Sequence, residues 1–78
     1  MDIREVFARN LRTLRRRRGL SQEALAHDAG VDRSYISQLE CSRYSASLTM
    51  IRKLARALGV APSDLLNPTG QNDAPSST

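Results

Sequence analysis

The chain has 78 residues, enough for one small domain with a modest hydrophobic core and too few for a second. Its single cysteine, Cys41, excludes an intrachain disulfide, and with one histidine it excludes a four-ligand Cys/His zinc site. Twelve Lys and Arg against eight Asp and Glu leave +4; eleven of those cations are Arg, whose planar fork suits phosphate, although this net charge alone points only weakly to a polyanion.

The apolar spacing is helical throughout, and no Val/Ile/Thr-rich alternation supports a sheet, so an all-α fold is expected. Ile3, Phe7, Leu11 and Leu14 draw a stripe on a first helix over roughly residues 2–18, which Gly19 closes. Ser21 caps a short second helix with Leu25, Ala26 and Ala29, ending at Gly30, a residue free to take positive φ. Asp32 caps a third helix whose apolar face is Ile36 and Leu39. Ser47 caps a fourth, with Leu48, Ile51, Leu54, Ala55 and Leu58 as its buried stripe and Gly59 as its stop. Pro62 opens a short fifth, PSDLLN. Residues 1–67 then form the domain, and 68–78, without apolar anchors, form a disordered tail.

Helices two and three are joined by a turn of about three residues, the length that sets two helices at a steep angle. Counting Gln22 as first, a small residue falls fifth (Ala26), glycine ninth (Gly30), and apolar groups fourth, eighth, tenth, fifteenth and eighteenth (Leu25, Ala29, Val31, Ile36, Leu39). Ala26 must be small where the helices cross, Gly30 must reverse the chain, and the apolar groups pin the angle. Seven such constraints are hard to satisfy by chance, and together they describe a helix-turn-helix, with an ordinary helical hairpin as the bland alternative.

On the segments LRTLRRRRGLSQEALAHDAGVDRSYISQLE and SLTMIRKLARALGV, the chain resembles the XRE-like family of repressors, which includes the lambdoid phage repressors and Cro proteins. DRSYISQLE with SLTMIRKLARAL is especially similar to the controller proteins of restriction-modification systems. Where many members have glycine after the third helix this chain has Ser42, and where many have proline before the fourth it has Ala46. The resemblance implies a compact five-helix, lambda-repressor-like domain that regulates transcription, with helix three (about 33–40) in the major groove of double-stranded DNA. On that helix Arg33, Ser34, Ser37 and Gln38 lie opposite Ile36 and Leu39 and are candidates for reading bases. Arg33 suits guanine and Gln38 suits adenine, while the serines are too versatile to assign and a merely solvated face stays open for them. Phosphate contacts are expected from Gln22, at a helix start that favours an anion, and from Tyr35, Arg43 and Arg18.

The run Arg15 to Arg18 cannot all face DNA, because consecutive helical residues point about 100° apart. Arg15 falls on the buried stripe, where a guanidinium needs a partner. The family's usual pairing implies that this partner is Glu40. A homodimer on a palindromic operator is expected, since one short helix touches few base pairs. Val60, Leu65 and Leu66 are its candidate interface, unless these residues simply close the core. No nucleophile-base-acid set and no phosphate-cradling glycine loop argue for an enzyme, and no metal, cofactor or small-molecule ligand is expected. No added sensing domain is expected either. No apolar run reaches the roughly 18 residues of a membrane span, and the start is Arg-rich and helical, not a secretion signal, so the cytoplasm is the expected compartment. His27 is expected on an exposed face, Met50 as a gap filler or surface residue, and a redox role for Cys41 would need a second subunit to resolve it. The competing function is an antitoxin-like interaction module that masks a partner protein.

Overall fold

The computed structural model describes residues 2–68, so the tail expected over 68–78 lies, from residue 69 on, outside the described residues. Five helices follow one another: α1 (Ile3–Arg17), α2 (Gln22–Ala29), α3 (Arg33–Glu40), α4 (Leu48–Leu58) and α5 (Pro62–Leu66). No strand occurs among the described residues. Their principal contacts close a ring: α1 packs on α3 and α5, α2 on α3 and α4, and α4 on α5. Leu11, Leu25, Ile36, Leu39, Leu54, Leu58 and Leu65 fill its centre with no exposed side-chain surface to speak of. Each such burial contributes about 1.5–3 kcal/mol.

The helix starts use local capping chemistry. The Ser21 hydroxyl accepts from Ala24 N at 2.9 Å and Ser47 from Met50 N at 3.1 Å. Asp2 caps α1 by accepting from Arg4 N at 2.9 Å. At α5 the bond runs back, from Ala61 N to Asp64 Oδ2 at 3.0 Å. Asp32 departs from expectation: it holds the N-cap position of α3 but makes no side-chain bond to the backbone, and accepts instead from the Ser34 hydroxyl at 2.7 Å.

The helix ends share one design. Residue 31 returns its N–H to Ala26 O at 2.9 Å across Gly30 (φ 72°), and residue 60 returns its N–H to Ala55 O at 3.0 Å across Gly59 (φ 71°). At the end of α3 the same loop forms, Arg43 N to Gln38 O at 3.0 Å, but the left-handed residue is Ser42 (φ 62°), which has a side chain. Here the backbone keeps the left-handed conformation without a glycine.

Three apolar expectations are corrected. Ile3 and Leu48 are 56% and 83% exposed, because each is the first residue of its helix and the stripe reaches the core only one turn later, at Val6 and Phe7 in α1 and at Ile51 in α4. Leu65 is fully buried and packs into the ring, so it is not available to a second subunit; Leu66 and Val60 are half-buried against the core. Asn10, which apolar patterning passes over, is buried and donates from Nδ2 to Leu65 O (3.0 Å) and Asn67 O (2.9 Å). It thereby satisfies carbonyls that the end of α5 leaves open.

Candidate nucleic-acid interface

The helix that carries the site is fastened by charge at its far end. Glu40, the last residue of α3, is 4% exposed and its carboxylate takes the Arg15 guanidinium in a fork: Nε to Oε2 at 2.6 Å and Nη2 to Oε1 at 3.1 Å. Arg15 Nη1 donates to Leu20 O at 2.8 Å, beyond the end of α1. The Gln22 amide donates to Glu40 Oε1 at 3.1 Å, and Arg12 donates to the Glu40 carbonyl at 2.6 Å. One carboxylate thus ties α1, the start of α2 and the end of α3 together. A buried ion pair of this kind is stable only because its remaining polar atoms are also bonded.

The outward side of α3 is different. Arg33 and Ser34 are exposed, and Ser37 and Gln38 are half-buried on the same side, away from the buried Ile36 and Leu39. With its proton given to Asp32, the Ser34 hydroxyl is left as an acceptor. Tyr35 is half-buried, and its ring centre lies 6.3 Å from that of the exposed Tyr44 at an interplanar angle of 33°, within the spacing of favourable aromatic pairs. Arg43 is exposed beside them.

Two of the expected phosphate contacts are occupied by the fold. The Gln22 side chain is half-buried on Glu40, which leaves the backbone N–H groups at the start of α2 as its anion-facing chemistry. Arg18 reaches the other way, donating from Nη1 to Leu58 O at 3.2 Å at the end of α4, where a cation suits the helix dipole. Sequence reading missed Arg12, Arg9 and Asn10. Their acceptors are carbonyls of residues 40, 65, 67 and 68, and no local pattern announces a side chain whose partner is a distant backbone oxygen. No group of three or more His, Cys, Asp or Glu that could hold a metal ion occurs among the described residues. No helix there is long and apolar enough to cross a membrane.

Comparison with known proteins places this geometry. A family model described as a helix-turn-helix domain matches residues 6–67. A hypothetical transcription factor of Neisseria meningitidis is 48% identical over 67 residues, 86% of this chain, and the chain spans 63% of that relative's length. Control protein C.BamHI of Bacillus amyloliquefaciens is 41% identical over 69 residues, covering 87% of this chain and 85% of its own. Among solved structures, the restriction-modification controller protein C.AhdI from Aeromonas hydrophila superposes with a TM-score of 0.77 at 45% identity, over 80% of this chain and 94% of that one. The chain therefore belongs to the helix-turn-helix domain family, and within it to transcriptional regulators of the XRE and controller-protein type.

Proposed function

We propose that this protein binds specific sequences of double-stranded DNA as a homodimer in the cytoplasm, with α3 in the major groove. The observation that carries the reading is the exposed polar side of α3, with Arg33 and Ser34 exposed at its tip, on a helix whose opposite face is sealed into the core. A groove about 12 Å wide admits such a helix. Arg33 reads guanine through O6 and N7, Gln38 reads adenine, and Ser34 and Ser37 accept from base amino groups. Tyr35, Arg43 and the backbone N–H groups opening α2 hold phosphates and fix the register without reading sequence.

Two copies on half-sites of a palindrome, roughly 34 Å apart, supply the specificity that one short helix lacks. With Leu65 inside the core, the interface falls to Val60 and Leu66 together with the exposed apolar side chains nearby. Leu66 lines a shallow groove with Ile3, Tyr44, Ala46 and Ile51, and Ile3 and Tyr44 are more than half exposed. A surface of this kind is self-complementary under a two-fold axis.

Selection of bound duplexes from a random library tests the reading. One enriched palindromic motif is expected, and Arg33→Ala should lose about 1–3 kcal/mol of discrimination at a guanine position while its unfolding midpoint stays put. Recovery of no motif, or an affinity that does not fall between low and physiological salt, rejects it.

A further inference from the structure

On the outer side of α4, Arg52, Lys53 and Arg56 are exposed, and none of them makes a hydrogen bond or ion pair among the described residues. Arg52 and Arg56 stand one turn apart on the same side, and the helix LTMIRKLARAL contains no acidic residue. Like charges at this spacing oppose helix formation. The helix dipole favours Arg56 in the last turn but does nothing for Arg52 and Lys53 in the middle. Local folding therefore does not account for the cluster.

The three cations line one wall of an open groove of about 580 Å³ between α2 and α4. That volume is within the roughly 300–1,000 Å³ typical of ligand pockets. Asp28 and Ala29, in the last turn of α2, line the groove with them, and Ala57 adds a second small residue. Two alanines let a segment approach the helix backbones closely. The occupant has to be acidic and narrow. Duplex DNA is a poor fit: it receives protein helices in its own grooves and does not enter a cleft between two of them. The Asp28 carboxylate, whose side chain is 51% exposed, repels phosphates and carboxylates alike, so the charges of an occupant must lie along the α4 wall, away from it. Furthermore, the principal contacts of α4 are with α2 and α5, and α3 is not among them.

We propose that the α2–α4 groove docks an acidic segment of a partner protein, its carboxylates on Arg52, Lys53 and Arg56 and its small side chains over Ala29 and Ala57. The site goes beyond DNA binding by α3 and does not depend on it.

Fluorescence anisotropy with a fluorescein-labelled peptide of alternating Glu and Ala tests this on the full chain. Binding is expected, with no binding of the matching Gln/Ala peptide. Arg52→Glu/Arg56→Glu should weaken it at least about tenfold, while Arg16→Glu/Arg17→Glu, an equal change of charge elsewhere, should leave it within about twofold. Asp28→Asn should strengthen it, and saturating selected duplex should not displace the peptide. Equal losses in both charge reversals would mean unlocalised attraction and overturn the proposal. So would a duplex that displaces the peptide, or a fall in the salt slope of duplex binding in Arg52→Glu/Arg56→Glu, which would assign the cations to flanking phosphates. Circular dichroism checks that each variant keeps its helices.

Discussion

At its C-terminal end α3 is fastened by Glu40, which accepts from Arg15 and Gln22 through its carboxylate and from Arg12 through its carbonyl; at its N-terminal end Arg33 is exposed and the Asp32 side chain makes no bond to the backbone. One end is an anchor drawn from three helices, and the other is exposed, with only the local Ser34–Asp32 bond among its side chains. The difference assigns labour along eight residues. The buried bonds are concentrated away from the exposed face, so the side chains proposed to read bases can be exchanged without loosening the anchor.

Breaking the anchor should have the largest effect. Glu40→Ala leaves Arg15 buried beside an empty acceptor position, and a loss of about 3–5 kcal/mol in urea unfolding is expected. Replacing both partners together, as Arg15→Met/Glu40→Leu, should recover most of that loss, because the two charges no longer need each other. A Glu40→Ala protein within about 1 kcal/mol of the parent would show that packing alone holds the helix.

Gln22→Ala trims the same anchor less severely, since Glu40 Oε1 still accepts from Arg15 Nη2 at 3.1 Å. About 1 kcal/mol of stability should go with it. Salt-dependence slopes should be unchanged, because the backbone N–H groups proposed to hold phosphate remain.

Ser42 sharpens the comparison from the opposite direction. A left-handed residue with a side chain costs roughly 1–2 kcal/mol, and glycine there gives back about 0.5–1 kcal/mol in unfolded-chain entropy. Ser42→Gly should thus stabilise the protein by about 0.5 kcal/mol, read as a raised thermal midpoint, without altering duplex affinity.

The smallest effect lies at the start of α1. The backbone N–H of Arg4 and, next, its guanidinium hold the Asp2 carboxyl below its ordinary pKa. A carboxyl lowered on folding contributes stability at neutral pH and loses it as pH falls through its folded value, below the usual carboxylate range. Helicity should decline slightly over that acid window, and Asp2→Asn should abolish the dependence.

What was legible in the sequence follows the range of each interaction. Ser21, Ser47, Gly30 and Gly59 were readable because a cap or a reversal involves neighbours within five residues. The order and number of helices followed from them and from the apolar stripes. Ile3 and Leu48 were placed inside by periodicity alone, which knows the face of a helix but not where along its length the core begins. Patterning leaves Leu65 open between an interface and the core, because it cannot tell which of two adjacent leucines turns in. Arg18 was grouped with DNA contacts by its charge, and only the tertiary fold sets it against the last carbonyls of α4. The cations of α4 went unnoticed since Leu54 and Ala55 interrupt them in sequence, although a helix brings Arg52 and Arg56 together.

Cys41 follows Glu40 directly and is both exposed and the chain's single cysteine. A spin label or dye attached there needs no substitution of this sequence, and it would sit directly after the anchored end of α3. If two copies bind as proposed, the pair of labels forms a built-in ruler, and its length with and without duplex reports any movement of one α3 relative to the other.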